Sequence, residues 1–372
     1  MLRYIFLALA IIVSFPQRCF ALEASAKSAC LISADSGQVI FAKNPHERLP
    51  MASTTKMMTA LLAAESGRWE EQVYISRNAC MQEGTRVYLE EGDSAALGDL
   101  VRAMLMNSGN DAAVAIAEHL GGSTEAFAAE MTARAHELGA KDTGFENPSG
   151  LDGENHLSTA YDLAIIGSAV VKNPLLAEII STKNSTLVSA SGNITYLKNH
   201  NKLLWSYNGL DGIKTGYTKK AGRCLVTSAN RGGVRLVAVT LCDADDWKDH
   251  KNMLDYGFEV CKNEPVLTQG EVLTRVRVGG EPVNLVCASG AEAVSICGRV
   301  RDYEVVVHKL SDIEPPIDER EKLGYAGIVQ NGREIGRVDL VAQTGVSLPE
   351  VSYWRLFFDK IAEFAGFCAK RY

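Results

Sequence analysis

The most informative stretch of this chain reads Pro50-Met51-Ala52-Ser53-Thr54-Thr55-Lys56-Met57-Met58-Thr59-Ala60. Ser53 and Lys56 stand three positions apart at the start of an apolar helical pattern, so their side chains share one face of the helix. This spacing can bring an amine within hydrogen-bond reach of a serine hydroxyl, which activates the serine without a histidine. The alternative interpretation is an ordinary helix start with Ser53 as the N-cap residue.

Two further motifs follow downstream. Ser108-Gly109-Asn110 is predicted to link two helices, where a hydroxyl can project into a cleft. Lys214-Thr215-Gly216 directly precedes a predicted hairpin and therefore belongs on or beside a strand. Residues 191–193 and 228–230 also match Ser-x-Asn, but we interpret them as a turn and a strand end. The order Ser-x-x-Lys, Ser-x-Asn, Lys-Thr-Gly is the signature of serine enzymes that recognise penicillin.

With these motifs the chain resembles the low-molecular-mass penicillin-binding proteins, specifically the serine D-Ala-D-Ala carboxypeptidases. Other stretches similar to the family are residues 105–113, 147–152, 156–164 and 211–218. The resemblance implies an α+β fold with a β-lactamase/transpeptidase-like catalytic domain, in which a helical cluster packs on an antiparallel sheet around the active site. A small all-β domain and a C-terminal amphipathic helix would follow. The implied activity removes the terminal D-Ala from peptidoglycan pentapeptide stems and is inhibited by β-lactams.

The resemblance assigns acyl transfer to the first two motifs. Ser53 would attack the carbonyl of the penultimate D-Ala and form an acyl-enzyme. Lys56 would accept the serine proton, which requires a neutral amine, and both burial and the charge of Lys214 would lower its pKa. Ser108 would relay a proton to the departing D-Ala amine, and the Asn110 amide would hold the substrate backbone.

The third motif is implied to bind the end of the substrate. Lys214 and Thr215 suit the terminal carboxylate, which separates an exopeptidase from an endopeptidase. Gly216 would leave room for substrate along the strand. The backbone N–H groups of Ser53 and Tyr217 would form the oxyanion hole. No cofactor is implied, and the histidines and cysteines show no metal-ligand spacing, so no metal site is expected.

The chain departs from the family pattern before the Lys-Thr-Gly strand. Some family members carry an arginine there, whereas this chain reads Asn199-His200-Asn201-Lys202. His200 could replace that contact if it is protonated, or it could be a loop histidine without a substrate role. We interpret His156 as structural, because the implied mechanism gives it no task.

Three other functions remain as alternatives. A class A β-lactamase shares the motifs but needs a further carboxylate base, usually in a Glu-x-x-Leu-Asn pattern, which this chain lacks. A D,D-endopeptidase that cleaves peptidoglycan cross-links is the nearer alternative within enzymes. A non-catalytic penicillin-binding sensor or scaffold is the third, although intact motifs argue against it.

The N-terminal residues 1–21 read as a secretory signal. Arg3 supplies the positive start, residues 4–15 the apolar core, and Cys19-Phe20-Ala21 a cleavage site, with Ala24-Ser25-Ala26 as a second candidate. An uncleaved anchor is the alternative, but the apolar stretch is short for a bilayer. We therefore expect an exported protein.

The C-terminal residues 350–372 carry apolar side chains at helical spacing. A core helix would show the same pattern, but the terminal position and the closing cations favour a helix lying in a membrane interface. This predicts peripheral attachment to the outer face of the cytoplasmic membrane. The stripe comprises Tyr353, Trp354, Phe357, Phe358, Ile361, Phe364, Ala365 and Cys368.

Between the two ends, the pattern predicts two domains. Residues 24–262 alternate strands and helices and would form the catalytic domain, with hairpins at 29–42 and 222–242. Predicted helices cover 54–65, 97–106, 110–120, 124–138 and 159–171. Residues 266–345 carry short β-branched segments and would form the β domain, with its clearest hairpin at 324–341.

The net charge is -7 with no basic tract outside the termini, so nucleic acid is not an expected partner. Most of the nine cysteines stand alone in apolar runs, as buried thiols do. Export permits disulfides, and Cys287 with Cys297 is the most plausible local pair.

Overall fold

The computed structural model describes residues 22–300, 303–311, 313–330, 332–348 and 360–361. The predicted signal segment 1–21 lies outside these residues. The predicted helix 350–372 lies outside them too, except for Lys360 and Ile361, which are helical and exposed.

The helices of the described residues lie within a residue or two of the predicted ones, where a prediction was made. Side-chain caps start two of the longer helices: Ser123 Oγ accepts from Ala126 N, and Thr159 Oγ1 accepts from Asp162 N. The helices are a 3-10 turn at Ala52–Thr55, α1 (Lys56–Glu65), α2 (Arg77–Cys80), α3 (Leu97–Asn107), α4 (Asn110–Gly121), α5 (Thr124–Leu138), α6 (Ala160–Lys172), α7 (Pro174–Ser181), α8 (Leu203–Ser206) and α9 (Asp246–Val260).

The strands up to residue 243 build the central sheet and three short ribbons. They are β1 (Ser28–Ser33), β2 (Val39–Lys43), β3 (Leu49–Pro50), β4 (Gln72–Tyr74), β5 (Ser94–Ala96), β6 (Leu157–Ser158), β7 (Asn184–Val188), β8 (Ile194–Lys198), β9 (Leu210–Thr218), β10 (Gly222–Arg231) and β11 (Val234–Asp243). The central sheet has the order β2-β1-β11-β10-β9 and is antiparallel throughout. The hairpins predicted at 29–42 and 222–242 are confirmed, as is the one at 324–341 in the later strands. Lys214-Thr215-Gly216 lies on the edge strand β9.

Both faces of the central sheet are covered, which explains why β1 is apolar and buried along its whole length. On one face, Cys30 and Ile32 pack with the helical cluster of α1 and α3 to α7. On the other face, Ala29 and Leu31 pack with α9. The expected arrangement of a helical cluster on an antiparallel sheet is confirmed.

The remaining strands form a second β region. They are β12 (Cys261–Leu267), β13 (Val272–Val278), β14 (Glu281–Cys287), β15 (Ala291–Ile296), β16 (Tyr303–Lys309), β17 (Lys322–Gln330) and β18 (Arg333–Ala342). A five-stranded sheet has the order β13-β14-β18-β17-β16, and β12 pairs with β15. This region has its own buried core. The predicted boundary between the two domains, at residues 262–266, stays a prediction, because strand β12 is continuous across it.

The expected disulfide is wrong. Cys287 is buried in β14 of the five-stranded sheet, whereas Cys297 is exposed just after β15, in the two-stranded sheet. Among the described residues the seven cysteines are free thiols. Closeness in sequence did not reveal that the two residues belong to different sheets.

Candidate active site

Ser53 lies in the 3-10 turn that leads into α1, and two glycines let the surrounding backbone approach this turn. The preceding residue, Ala52, has a positive φ of 48°, a conformation that non-glycine residues rarely adopt and that recurs at functional sites. A Cβ on Gly150 would lie 2.0 Å from Ala52 O, and one on Gly216 would lie 3.1 Å from Ser53 N. The serine is therefore held between the loop that contains Gly150 and the strand β9.

Lys56 is fully buried beneath this turn, and its amine faces three oxygen atoms. Nζ lies 3.0 Å from Ser53 Oγ and 2.7 Å from Asn110 Oδ1, and it also contacts Ser149 O. Burial, and after it the charge of Lys214, lowers the pKa of Lys56 well below the usual lysine value. The expected direction of this pKa shift, with both of its causes, is confirmed.

The three oxygens around Lys56 suit a neutral amine. A neutral amine has two N–H donors and one lone pair. Asn110 Oδ1 and Ser149 O have no hydrogen to give, so they take the two N–H groups. The lone pair then faces Ser53 Oγ, whose hydroxyl can donate to it. The N-cap interpretation of Ser53 is wrong, because neither the 3-10 turn nor α1 has a side-chain cap.

A loop that the motifs do not include presents Ser149 O to Lys56. The side chain of Asn147 organises this loop. Its Oδ1 accepts from the backbone N–H groups of Ser149, Gly150 and Leu151 at 2.8–3.2 Å, and its Nδ2 donates to Leu151 O at 2.9 Å. The resemblance marked residues 147–152 without giving them a task. The contacts make Asn147 a positioning residue for Lys56.

His156 contacts the 3-10 turn that carries Ser53. Its Nδ1 accepts from Glu146 N at 3.0 Å, and its Nε2 lies 2.8 Å from Thr55 Oγ1. The Thr55 hydroxyl donates to Ala52 O at 2.8 Å, so Nε2–H donates to Thr55. Burial lowers the pKa of His156 to about 4. His156 does not line the cleft, which agrees with the interpretation that it is structural.

This pKa predicts acid sensitivity. The folded protein keeps His156 neutral, so below the unfolded value of 6.5 the unfolded chain binds the proton first. The contribution to stability is complete above pH 6.5 and is lost as the pH falls towards 4, by about 3 kcal/mol. We expect the difference in unfolding free energy between wild type and His156→Gln to shrink over this range, measured by urea unfolding. A constant difference would contradict the assignment.

Ser108 and Lys214 meet on the other side of the cleft. Ser108 follows α3 with a φ of 62°, which turns the chain sharply before α4 begins at Asn110. Lys214 Nζ donates to Ser108 Oγ at 3.1 Å and to Thr215 O at 3.0 Å. Burial lowers the pKa of Lys214 to about 7, so this amine is only partly protonated at neutral pH.

Asn110 and Asp111, at the start of α4, hold a loop that borders the cleft. Asn110 Nδ2 donates to Glu83 O at 2.6 Å, and Asn110 N donates to Thr85 O at 2.7 Å. The buried Asp111 carboxylate accepts from Val87 N at 3.0 Å. Because Asn110 Oδ1 accepts from Lys56 Nζ, this one side chain connects the loop to Lys56.

These elements enclose a cleft of about 510 Å³. Among the predicted site residues, Ser53, Ser108, Thr215, Gly216 and Tyr217 line it. The remaining three, Lys56, Asn110 and Lys214, are buried and contact these side chains or the backbone beside them. The cleft also contains residues that the sequence analysis did not select, namely Thr85, Arg223, Asp246 and Trp247.

His200 also lines the cleft. Burial, followed by the nearby Lys214, lowers the pKa of His200. A lowered pKa leaves the imidazole neutral at neutral pH, which argues against the alternative in which a protonated His200 replaces the missing arginine.

A serine hydroxyl beside a buried amine base, in a cleft between a helical cluster and the edge of an antiparallel sheet, defines a serine acyl-transfer enzyme with a lysine base. The model of one family, described as D-alanyl-D-alanine carboxypeptidase, matches residues 15–245. The chain belongs to this family.

Two curated relatives and one solved structure illustrate the similarity. The D-alanyl-D-alanine carboxypeptidase DacF of Bacillus subtilis is 33% identical over 340 residues, which cover 88% of this chain and 87% of the relative. DacA of Escherichia coli is 29% identical over 363 residues, covering 92% and 87%. Penicillin binding protein 5 from Haemophilus influenzae has a TM-score of 0.65 and 28% identity, covering 88% of this chain and 98% of that one.

Proposed function

We propose that this protein is a serine D,D-carboxypeptidase that removes the terminal D-Ala from peptidoglycan stem peptides ending in D-Ala-D-Ala and that β-lactams inhibit it. The observation that carries the proposal is the 3.0 Å distance between Lys56 Nζ and Ser53 Oγ, at an amine whose pKa is lowered well below the usual lysine value by burial. Family membership and the names of the relatives support the substrate class.

In the proposed first half-reaction, Ser53 Oγ bonds to the carbonyl carbon of the penultimate D-Ala while its proton passes to Lys56. The N–H groups of Ser53 and Tyr217 stabilise the oxyanion. The peptide C–N bond then breaks, and Ser108 gives its hydroxyl proton to the leaving amine of the terminal D-Ala. Ser108 takes back the proton that Lys56 accepted, so both side chains end this half-reaction in their starting protonation states. Water subsequently hydrolyses the Ser53 ester, which releases the shortened stem and restores the serine.

Binding places the substrate between Asn110 and the strand β9. The Asn110 amide holds the substrate backbone, and Lys214 and Thr215 bind the terminal carboxylate. Gly216 has no side chain, so it leaves room for the substrate along β9. We assign the reaction to residues 24–262, because the described residues of the site and its cleft end at Trp247. Residues 266–345, the proposed β domain, contribute none of those residues.

A pentapeptide muropeptide and a cross-linked muropeptide dimer, each analysed by mass spectrometry, test this proposal. We expect the pentapeptide to lose one alanine and the dimer to stay intact. Cleavage of the dimer would favour the endopeptidase alternative. Stable penicillin binding without either cleavage would favour the sensor or scaffold.

We infer export with cleavage after Ala21. The second candidate site would remove Ala24, Ser25 and Ala26, which the fold uses. Ala24 and Ala26 are buried in the core under α9, and Ser25 Oγ donates to Asp243 Oδ1 at 2.8 Å. Cleavage after Ala21 leaves these contacts intact.

We also propose that residues 350–372 bind the outer face of the cytoplasmic membrane. Within the part of the chain that the structure describes, no single helix is long and apolar enough to cross a bilayer; the bent pair α6 and α7 passes by length and composition alone. The predicted aromatic stripe would bind at the interface, since each buried side chain contributes roughly 1.5–3 kcal/mol.

A variant ending at Leu348 tests the attachment. We expect it to keep full activity on small peptides and to stay off liposomes, because the described catalytic residues lie far upstream of the deletion. The full mature protein should float with liposomes in the same experiment. If the full protein also stays in the soluble fraction, the helix does not attach it to membranes.

A further inference from the structure

The residues that line the cleft include Arg223, Asp246 and Trp247, which belong to none of the three motifs. Arg223 lies on β10, directly opposite Tyr217 of β9, and the next pair in the register is Cys224 with Gly216. Gly216 in turn packs against Ser53 N. The guanidinium therefore comes from the strand beside the one that carries Lys214, within reach of the same cleft.

Arg223 supplies a permanent positive charge that the other described residues of the cleft do not. Lys214, with a pKa of about 7, is only partly protonated at neutral pH, and His200 has a lowered pKa. An arginine stays protonated at any relevant pH. Among the described residues that line the cleft, Arg223 is the one permanent cation. A substrate that ends in a carboxylate therefore meets a permanent positive charge at Arg223, beside the Asp246 carboxylate that pairs with it.

Asp246 orients the Arg223 guanidinium and leaves some of its N–H donors available to a ligand. The side chain of Arg223 is 52% exposed, whereas that of Asp246 is only 7% exposed, and Nη1 lies 3.3 Å from Asp246 Oδ1. Asp246 is itself held, because its Oδ1 accepts from Trp247 N at 3.0 Å at the start of α9. A guanidinium has five N–H donors in a rigid fork, so one contact to Asp246 leaves others for a bidentate carboxylate.

We infer that Arg223 is a specificity-determining residue that binds the C-terminal carboxylate of the substrate beside Lys214 and Thr215, and that Asp246 positions its guanidinium. This inference rests on the proposed function, and it supplies the cation that is absent from residues 199–202. The other interpretation is a structural clip, in which the ion pair only fastens β10 to the start of α9.

The test uses the mature protein and two peptides that differ only at the C-terminus, one with a free D-Ala carboxylate and one with an amide. For Arg223→Gln we expect kcat/KM on the free acid to fall by about tenfold to a hundredfold, mainly through KM, with little change on the amide. Arg223→Lys should recover part of the preference, because it keeps the charge but loses the fork. Lys219→Gln, an exposed lysine in the turn between β9 and β10 that does not line the cleft, is the matched control and should change neither substrate.

A structural clip predicts something different: Arg223→Gln would lower kcat/KM equally on both peptides, with a lower melting temperature, and would leave the preference for the free acid unchanged. An equal loss of kcat/KM on both peptides, or an unchanged preference for the free acid, would overturn the inference. Acylation by benzylpenicillin compared with its carboxylate methyl ester repeats the measurement without peptide hydrolysis. If the protein hydrolyses no peptide, the proposed function fails, and the penicillin-to-ester ratio still decides whether Arg223 binds a carboxylate.

Discussion

Replacing Lys56 with alanine is expected to lower the rate of Ser53 acylation by at least roughly a hundredfold, the usual scale of general-base catalysis, in a protein that remains folded. The lost amine is the group 3.0 Å from Ser53 Oγ, and its pKa is lowered by burial and by Lys214. Without it, the serine proton has no acceptor. Stopped-flow measurement with a fluorescent penicillin gives the acylation rate, and circular dichroism reports the fold.

Lys56→Arg separates the role of a base from that of a positive charge. Arginine would place a permanent cation next to Asn110 and Ser149, and it does not lose its proton at neutral pH. We expect this variant to be as slow as Lys56→Ala. If Lys56→Arg acylates at nearly the wild-type rate, Lys56 acts through its charge, and another group accepts the serine proton.

Gly150→Ala is expected to disable the site without replacing any of the proposed catalytic side chains. Gly150 has a φ of 93°, and an added Cβ would lie 2.0 Å from Ala52 O and 2.8 Å from Ser53 N. Both atoms are backbone and cannot rotate away. The combined strain and clash should lower the free energy of unfolding by roughly 2–6 kcal/mol. A displaced Ser53 should lower acylation by about a hundredfold or more.

Gly192→Ala is the matched control for this substitution. Gly192 has a similar φ of 88° in the turn between β7 and β8, but an added Cβ meets nothing within 4 Å. This substitution should lower the free energy of unfolding by about 1 kcal/mol, because alanine is strained in the left-handed conformation, and it should leave acylation at the wild-type rate. Thermal unfolding and the acylation assay measure both variants. Equal effects of the two substitutions would mean that the contact of Gly150 with the Ser53 turn is unimportant.

Local patterns were enough to predict most of the catalytic half of the fold. The apolar periodicity located α3 to α6 closely, and Asn230-Arg231-Gly232-Gly233 marked the hairpin between β10 and β11. The contact between Ser53 and Lys56 was predictable for the same reason, because three residues along a helical turn bring side chains to one face.

Contacts between distant parts of the chain were not predictable from local patterns. The meeting of Lys56 with Asn110, and of Lys214 with Ser108, spans 54 and 106 residues. Only the resemblance to a family placed those motifs in one site. The lowered pKa of Lys56 was predicted correctly, because burial and a nearby like charge both act in that direction.

The residues that sequence reasoning missed depend on register and packing. Arg223 reaches the cleft because β10 pairs with β9 at Tyr217, and Asp246 reaches it because α9 packs against β10. Neither carries a local signal. Asn147 lay in a stretch that resembles the family, but its role became visible only through the loop that it organises around Ser149.

The central claim is that Ser53 is the nucleophile of an acyl-enzyme, and intact-mass analysis after exposure to benzylpenicillin tests it most directly. We predict one covalent adduct per wild-type molecule, located on the peptide that contains Ser53, and none on Ser53→Ala. Stoichiometric labelling of Ser53→Ala, or an adduct on a different peptide of the wild type, would contradict the account.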